Sequence, residues 1–253
     1  MHSATGACLG VVARVGLAAC LTVTACANED GDSCPIPTEE ISAIAVVIDS
    51  GWDLRAAIDF EQGDRHGPGT PLRLCDADIL EINGEPAQRI DKATRVEYSL
   101  TLPADGSRSF RFELVRADGD PVVLAIDLPA AFTLDNPASG DVLMTAEDQI
   151  IAWSPAEPEG TINVELGEAL GEGTCIASAD DAPEYKRPGG VQVPDTGQWT
   201  IPAGDLVGMS PQACPISYTL VRVERGDYPA ALASGGRVDA RVERHVEVQV
   251  DPQ

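Results

Sequence analysis

Trp52-Asp53-Leu54-Arg55-Ala56-Ala57-Ile58-Asp59-Phe60-Glu61 decides the class of fold. Trp52, Leu54, Ala56, Ile58 and Phe60 alternate with Asp53, Arg55, Ala57, Asp59 and Glu61. Successive strand side chains point to opposite faces, so a period of two marks a half-buried strand. A helix would need its apolar residues three and four apart. The alternation predicts Trp52 on the apolar face, packed in a core. Asp53, Arg55 and Asp59 then form a solvated stripe.

Working outward, the same pattern recurs. Residues 41–48 are a β-branched run. Residues 61–71 carry three glycines and two prolines and read as a loop. Ile79-Leu80-Glu81-Ile82 meets Asn83-Gly84, a strong hairpin signal because both turn residues tolerate positive φ. Pro86 on the return strand predicts a sheet edge. Val96, Tyr98, Leu100 and Leu102 alternate with polar residues, as do Phe110, Phe112 and Leu114. Asp118-Gly119 makes a turn before Val122, Leu124, Ile126 and Leu128. Short alternating strands joined by turns predict an antiparallel sandwich over 39–130.

Residues 129–137 are the expected boundary. Beyond it come Phe132-Thr133-Leu134-Asp135-Asn136-Pro137, then Gln149-Ile150-Ile151-Ala152-Trp153-Ser154-Pro155. This apolar strand, Pro-x-x-Gly turn and Ile-x-Trp-x-Pro strand resembles the opening of immunoglobulin-like repeats. Such repeats occur in bacterial lipoproteins and in Ser/Thr-rich anchored proteins of yeast cell walls. The resemblance implies an immunoglobulin- or fibronectin-like sandwich over 131–253 and no particular activity. This chain departs from the yeast pattern in being acid-rich. Further strands are expected at 161–166, 190–193, 198–201 and 216–223, and a loop at 167–190. In 237–250 the even positions are Val238, Ala240, Val242, Arg244, Val246, Val248 and Val250, with polar residues between. Arg244 interrupts the apolar face and predicts a bend or sheet edge. Short helical turns are expected at 202–207 and 229–233, with no long helix. The fold class is all-β: two antiparallel sandwiches.

Val23-Thr24-Ala25-Cys26 resembles the lipobox of a bacterial lipoprotein signal peptide. The resemblance implies removal of 1–25, acylation of Cys26 and a membrane-tethered mature chain. Residues 15–25 carry no charge, and they fall well short of the roughly 20 apolar residues needed to span a bilayer. A spanning anchor over 4–27 would put Arg14 mid-membrane, at a cost of about 2.5–3.5 kcal/mol. Leu17-Ala18-Ala19-Cys20 is a rival lipobox with a poorer apolar core. Residues 26–38 read as a polar, acidic tether. Ala27, rather than Asp, follows Cys26. By analogy with the sorting rule of enteric bacteria, this points to the outer membrane of the cell envelope.

Cysteine parity favours the same site. The cysteines are Cys8, Cys20, Cys26, Cys34, Cys75, Cys175 and Cys214. Cleavage before Cys26 leaves four for disulfides in an oxidising compartment, whereas cleavage before Cys20 strands one. Four cysteines allow three pairings. One bridge in each half, Cys34–Cys75 and Cys175–Cys214, is the expected pairing. C-x-x-C spacing is absent, so no metal is expected.

Removing Arg14 with the signal takes the formal charge from −24 to −25. Such a surface repels nucleic acid and anionic lipid. It leaves room for incidental Ca²⁺ at acidic loops such as Asp76/Asp78, Asp118/Asp120 and Asp180/Asp181/Glu184. None of these has the EF-hand pattern.

The sequence names no catalytic residue and no cofactor. G-x-S-x-G, H-E-x-x-H, Walker A and G-x-G-x-x-G patterns are absent. His66 lies in a glycine-rich loop, and His245 lies between Glu243 and Glu247 on a polar strand face. Trp153 and Trp199, like Trp52, read as core rather than ligand platforms. The expectation is a lipid-anchored envelope module, not an enzyme, with a binding or structural role; as a binder it would take an envelope protein or polysaccharide through loops such as 61–71 and 167–190. The alternatives are a carboxylate-pair hydrolase and an accessory subunit of a surface complex.

Overall fold

The computed structural model describes residues 31–63, 69–103, 106–117, 119–168, 175–176, 190–206 and 212–251. The signal peptide, Cys26, His66, Asp118, Asp180, Asp181 and Glu184 therefore lie outside the described residues.

The chain is all-β. In order, the first half gives β1 (Gly31–Asp32), β2 (Ile41–Asp49), β3 (Asp53–Gln62), β4 (Thr70–Arg73), β5 (Ile79–Ile82), β6 (Glu85–Pro86), β7 (Gln88–Asp91), β8 (Val96–Pro103), β9 (Ser109–Val115) and β10 (Val122–Asp127). The second gives β11 (Thr133–Asn136), β12 (Val142–Met144), β13 (Gln149–Ser154), β14 (Thr161–Glu168), β15 (Val191–Pro194), β16 (Gln198–Ile201), β17 (Cys214–Arg225) and β18 (Arg237–Asp251). A 3₁₀ turn spans Thr38–Glu40. At 202–205 and 229–232 the chain makes hydrogen-bonded turns rather than helices, with Asp205 N–H donating to Pro202 O and Leu232 N–H to Pro229 O.

One long sheet runs β1-β4-β3-β2-β18-β17-β14-β15, with β8 beside β3, β7 beside β8, and β12 beside β18. Two smaller sheets complete the sandwich: β10-β9-β5-β6 and β11-β13-β16. Alternation decides which residues face inward. Leu54, Ala56, Ile58 and Phe60 of β3 are buried, as are Phe110, Phe112 and Leu114 of β9 and Ile151 and Trp153 of β13. The buried residues of both halves form one cluster.

β18 joins the two halves. Its first residues, Arg237–Val242, pair in parallel with Ile44–Asp49 of β2. Its last three, Val250 among them, pair in parallel with β12. Along its other edge it pairs antiparallel with β17 from Asp239 to Val250. With β1 on β4, these make three parallel pairings in sheets expected to be antiparallel. Parallel neighbours are joined by crossovers, and a period-two pattern does not encode a partner so far away in sequence. Close approach of β18 to β2 depends on Gly236, where a Cβ would lie 2.3 Å from Ala43 O and 2.2 Å from Tyr228 Oη. Tyr228 Oη accepts from Ala43 N–H at 2.9 Å.

The hairpin at Asn83-Gly84 has Asn83 at φ 53, and Pro86 lies on an edge strand. Trp52 corrects the sequence reading. It is 74% exposed rather than core. The chain reverses at Ser50–Asp53, with Ser50 N–H donating to Asp53 O, and Gly51 takes φ +94. The β2–β3 ladder ends at the Asp49–Leu54 pair and β3 begins at Asp53, so strand phase no longer governs Trp52.

Disulfides join Cys34 to Cys75 and Cys175 to Cys214, each with a Cα–Cα distance of 5.4 Å. Each closes a loop of about 40 residues, for which chain entropy suggests about 4 kcal/mol.

Candidate binding site

Strands β18, β2, β3 and β8 lie side by side, and their outer face carries the most distinctive surface of the molecule. Register sets three rows across it. Arg237, Ile44, Asp59 and Glu97 form the first; Asp239, Val46, Ala57 and Ser99 the second; Arg241, Ile48, Arg55 and Thr101 the third. The central column is apolar and short, and long charged side chains flank it. The result is a trough of about 300 Å³ lined by Ile44, Val46, Ile48 and Ala57 and rimmed by Arg55, Lys92, Arg95, Arg237 and Arg241. From Ile44 to Ile48 the floor is about 13 Å long, and two strand spacings make it about 10 Å wide.

The rim draws five of the chain's 17 Lys and Arg into one place on a protein of charge −24. Its carboxylates are already engaged. Glu97, 5% exposed, accepts from Arg55 and from Lys92 Nζ at 2.5 Å. Arg95 reaches Asp59 Oδ2 at 3.3 Å and Glu97 at 3.9 Å. Asp239 lies 3.1 Å from Arg237 and 3.7 Å from Arg241. Arg241 Nε is buried without a hydrogen-bond acceptor among the described residues. Two positions further along β18, burial pushes the Glu243 carboxyl above the usual carboxylate range; Arg241 opposes this and Glu165 adds to it. Five cations against three carboxylates leave the trough locally positive.

The solvated stripe expected at Arg55 and Asp59 therefore forms one wall of a concavity. The two watched loops contribute nothing to it among the described residues. A larger open groove of about 580 Å³ runs between β9, β10 and the end of β17. It is lined by Arg111 and Arg225, by Asp127, Glu224 and Asp227, and by apolar Phe110, Ala125, Ile126, Leu128 and Pro129.

A second group of charges is structural. Arg222, 1% exposed, donates from Nε to Asp195 Oδ2 at 2.6 Å, and Trp153 Nε1 donates to Asp195 Oδ1 at 2.6 Å. Burial pushes the Asp195 carboxyl up, but the hydrogen bonds from Arg222 and Trp153 outweigh it and hold the carboxyl below the usual range. Arg222 also donates to Ala130 O and Pro155 O. Arg108 donates to Pro129 O, and Arg244 to Phe132 O at 2.9 Å. Three arginines thus hold three carbonyls of the segment between the small sheets. Arg116 does the same near the N-terminus, donating to Ile36 O at 2.6 Å and Ser33 O at 2.7 Å.

The remaining sequence candidates are dispersed. Asp78 accepts from Ser33 Oγ at 2.9 Å and supports the chain near the first disulfide, while Asp76 and Asp120 are exposed. Asp32 lies beside Cys34 and Cys75, but both sulfurs are spent on the disulfide. His245 is exposed, with Nδ1 3.2 Å from Thr219 Oγ1. Trp153 is core and Trp199 half-buried.

No family model matches the chain, and no curated protein matches it. Solved structures similar to it include DIP-gamma Ig1+Ig2, at 10% identity over 83% of this chain and 98% of that one, with a TM-score of 0.21. A three-Ig segment of titin, domains I67–I69, is 8% identical over 83% and 65% of the two chains, with a TM-score of 0.22. The Bacteroides ovatus glucan-utilisation protein SGBP-B, solved with a mixed-linkage heptasaccharide, is 12% identical over 83% and 60%, with a TM-score of 0.18. The strands and the shared core above define the all-β sandwich.

Proposed function

We propose that the protein is a lipid-anchored module of a bacterial cell envelope, held at the outer membrane through Cys26, that works by binding rather than catalysis. The observation that carries the binding reading is the apolar trough with its cationic rim on an otherwise acidic molecule. The nearest carboxylates, Asp59 and Glu97, are tied to arginine and lysine, an arrangement that holds charge in place rather than passing protons. The lipobox-like Val23-Thr24-Ala25-Cys26 and cysteine parity support the anchor. Residues 31–38, expected to belong to a tether, are instead tied to the body by β1 on β4, by the Cys34–Cys75 bridge and by Arg116 on the Ser33 and Ile36 carbonyls, so the tether that would lift the sandwich off the bilayer shortens to 26–30.

The test has two parts. Intact mass of the membrane fraction, with and without reduction, should give a chain starting at Cys26 that carries acyl groups and gains four hydrogens. Cys26→Ser should release the protein from membranes; retention there with no added acyl mass would overturn the anchor. Crosslinking in whole cells should then capture an envelope component, and loss of capture on charge reversal at Arg241 would tie it to the trough. A turnover of substrate that survives that reversal would point instead to the hydrolase alternative.

A further inference from the structure

We infer that the trough takes a small aliphatic carboxylate, with its anionic head between Arg241 and Arg55 and its apolar body along Ile48, Val46 and Ile44. This rests on the binding reading above and names its ligand class.

The third row carries the head. Arg241 and Arg55 stand on either side of Ile48, one on each neighbouring strand. Guanidinium groups match carboxylates in a planar fork, and such charge-assisted bonds are about twice as strong as neutral ones. Arg241 keeps donors in reserve: it meets Asp239 only at 3.7 Å, and its side chain is 33% exposed. Arg55 spends an amino group on Glu97. A carboxylate above Ile48 would complete the coordination of Arg241 and balance the local excess of positive charge.

The floor carries the body. Ile44, Val46 and Ile48 are half-exposed on the outer face. Their partner positions on β18 and β3 are charged except at Ala57. An aliphatic chain lying there removes apolar surface from water, at roughly 25 cal/mol per Å². The floor has no aromatic ring, which disfavours stacking a sugar. About 300 Å³ is the low end for small-molecule sites, which disfavours a macromolecular segment.

The experiment titrates the full-length, detergent-extracted protein with octanoate, octanol and acetate by calorimetry. Octanoate should bind, and both acetate and octanol should bind about tenfold or more weakly, since each lacks one half of the recognition. Arg241→Gln should weaken octanoate by about tenfold. Val46→Asn, on the outer face and away from the core, should weaken octanoate but not acetate. Unchanged thermal unfolding of both variants shows that they fold. Equal binding of acetate and octanoate would overturn the inference in favour of a simple anion site. Equal binding of octanol would overturn it in favour of nonspecific apolar contact. No octanoate binding, with trough-dependent crosslinking intact, would overturn the carboxylate ligand and leave the binding module standing.

Discussion

Arg222 Nε meets Asp195 Oδ2 at 2.6 Å with both side chains out of solvent, at 2% and 0% exposure. The carboxylate is shared with Trp153, and the guanidinium lies 4.7 Å from the centre of the Phe132 ring. Arg244 approaches the same ring at 5.6 Å and bonds both Phe132 O and Asp49. A buried polar network therefore sits where the long sheet passes from one facing sheet to the other. Its charges are paired and its hydrogen bonds reach otherwise bare carbonyls, which makes their burial tolerable.

Breaking that pair on one side should be costly. Asp195→Asn keeps the shape and a bond to Trp153 but leaves the buried Arg222 charge with only the exposed Glu157 carboxylate, 4.0 Å away. The expected loss is about 3–5 kcal/mol, read as a shift of the urea midpoint at neutral pH. A loss under about 1 kcal/mol would mean that water reaches Arg222.

The same carboxylate should make stability pH-dependent. The Asp195 pKa is lowered in the folded state, because hydrogen bonds from Arg222 and Trp153 outweigh burial. A depressed acid contributes stability that is fully present above its unfolded value of about 3.9 and is lost as pH falls through the folded value. Glu243 runs the opposite way: its raised pKa costs stability at neutral pH, and acidification relieves that cost. The gap in unfolding free energy between wild type and Asp195→Asn should narrow below about pH 4. A gap constant from pH 7 to 3 would contradict the assignment.

Arg244 should matter more than Arg108 at the junction. Arg244 is 18% exposed and bonds Phe132 O, Asp49 and Glu243 O, whereas the Arg108 side chain is 41% exposed. Arg244→Met should cost about 2–3 kcal/mol and speed amide exchange around Phe132. Arg108→Met should cost under about 1 kcal/mol, as exposed pairs do. Equal effects would show that the clamp is not graded by burial.

These polar residues left a mark in the sequence. Asp49 continues the buried phase of Ala43, Ala45 and Val47; Arg116 follows Phe112 and Leu114; Arg222 follows Tyr218 and Leu220; Arg244 follows Ala240 and Val242. A charge in the apolar phase of a strand marks a buried partner, whereas the sequence pattern at Arg244 predicts only a bend or edge. Arg244 sits where β18 has left β2 and not yet met β12. Asp195, one residue past β15, continues the phase of Val191 and Val193 in the same way. The trough, by contrast, was illegible. Each strand shows its own polar and apolar phases, but the rows Arg241-Ile48-Arg55 and Arg237-Ile44-Asp59 exist only once β18 is known to lie beside β2. Single-strand periodicity does not encode that partnership.

The two tryptophans that looked alike in sequence should behave in opposite ways. Trp153 is 2% exposed and anchors Asp195, whereas Trp52 is 74% exposed at a hairpin tip. Trp153→Ala removes a large core side chain and should cost about 3–5 kcal/mol. It also removes the hydrogen bond to Asp195 Oδ1, leaving that carboxylate with Arg222, so the loss should lie toward the upper end. Trp52→Ala removes no packed surface and should stay within about 0.5 kcal/mol of wild type. Fluorescence gives a second readout: a soluble quencher should reach Trp52 and not Trp153, so Trp52→Phe should remove the most readily quenched emission, with half-buried Trp199 supplying the rest. A Trp52→Ala loss comparable to that of Trp153→Ala would place the indole in a contact that the hairpin geometry does not provide.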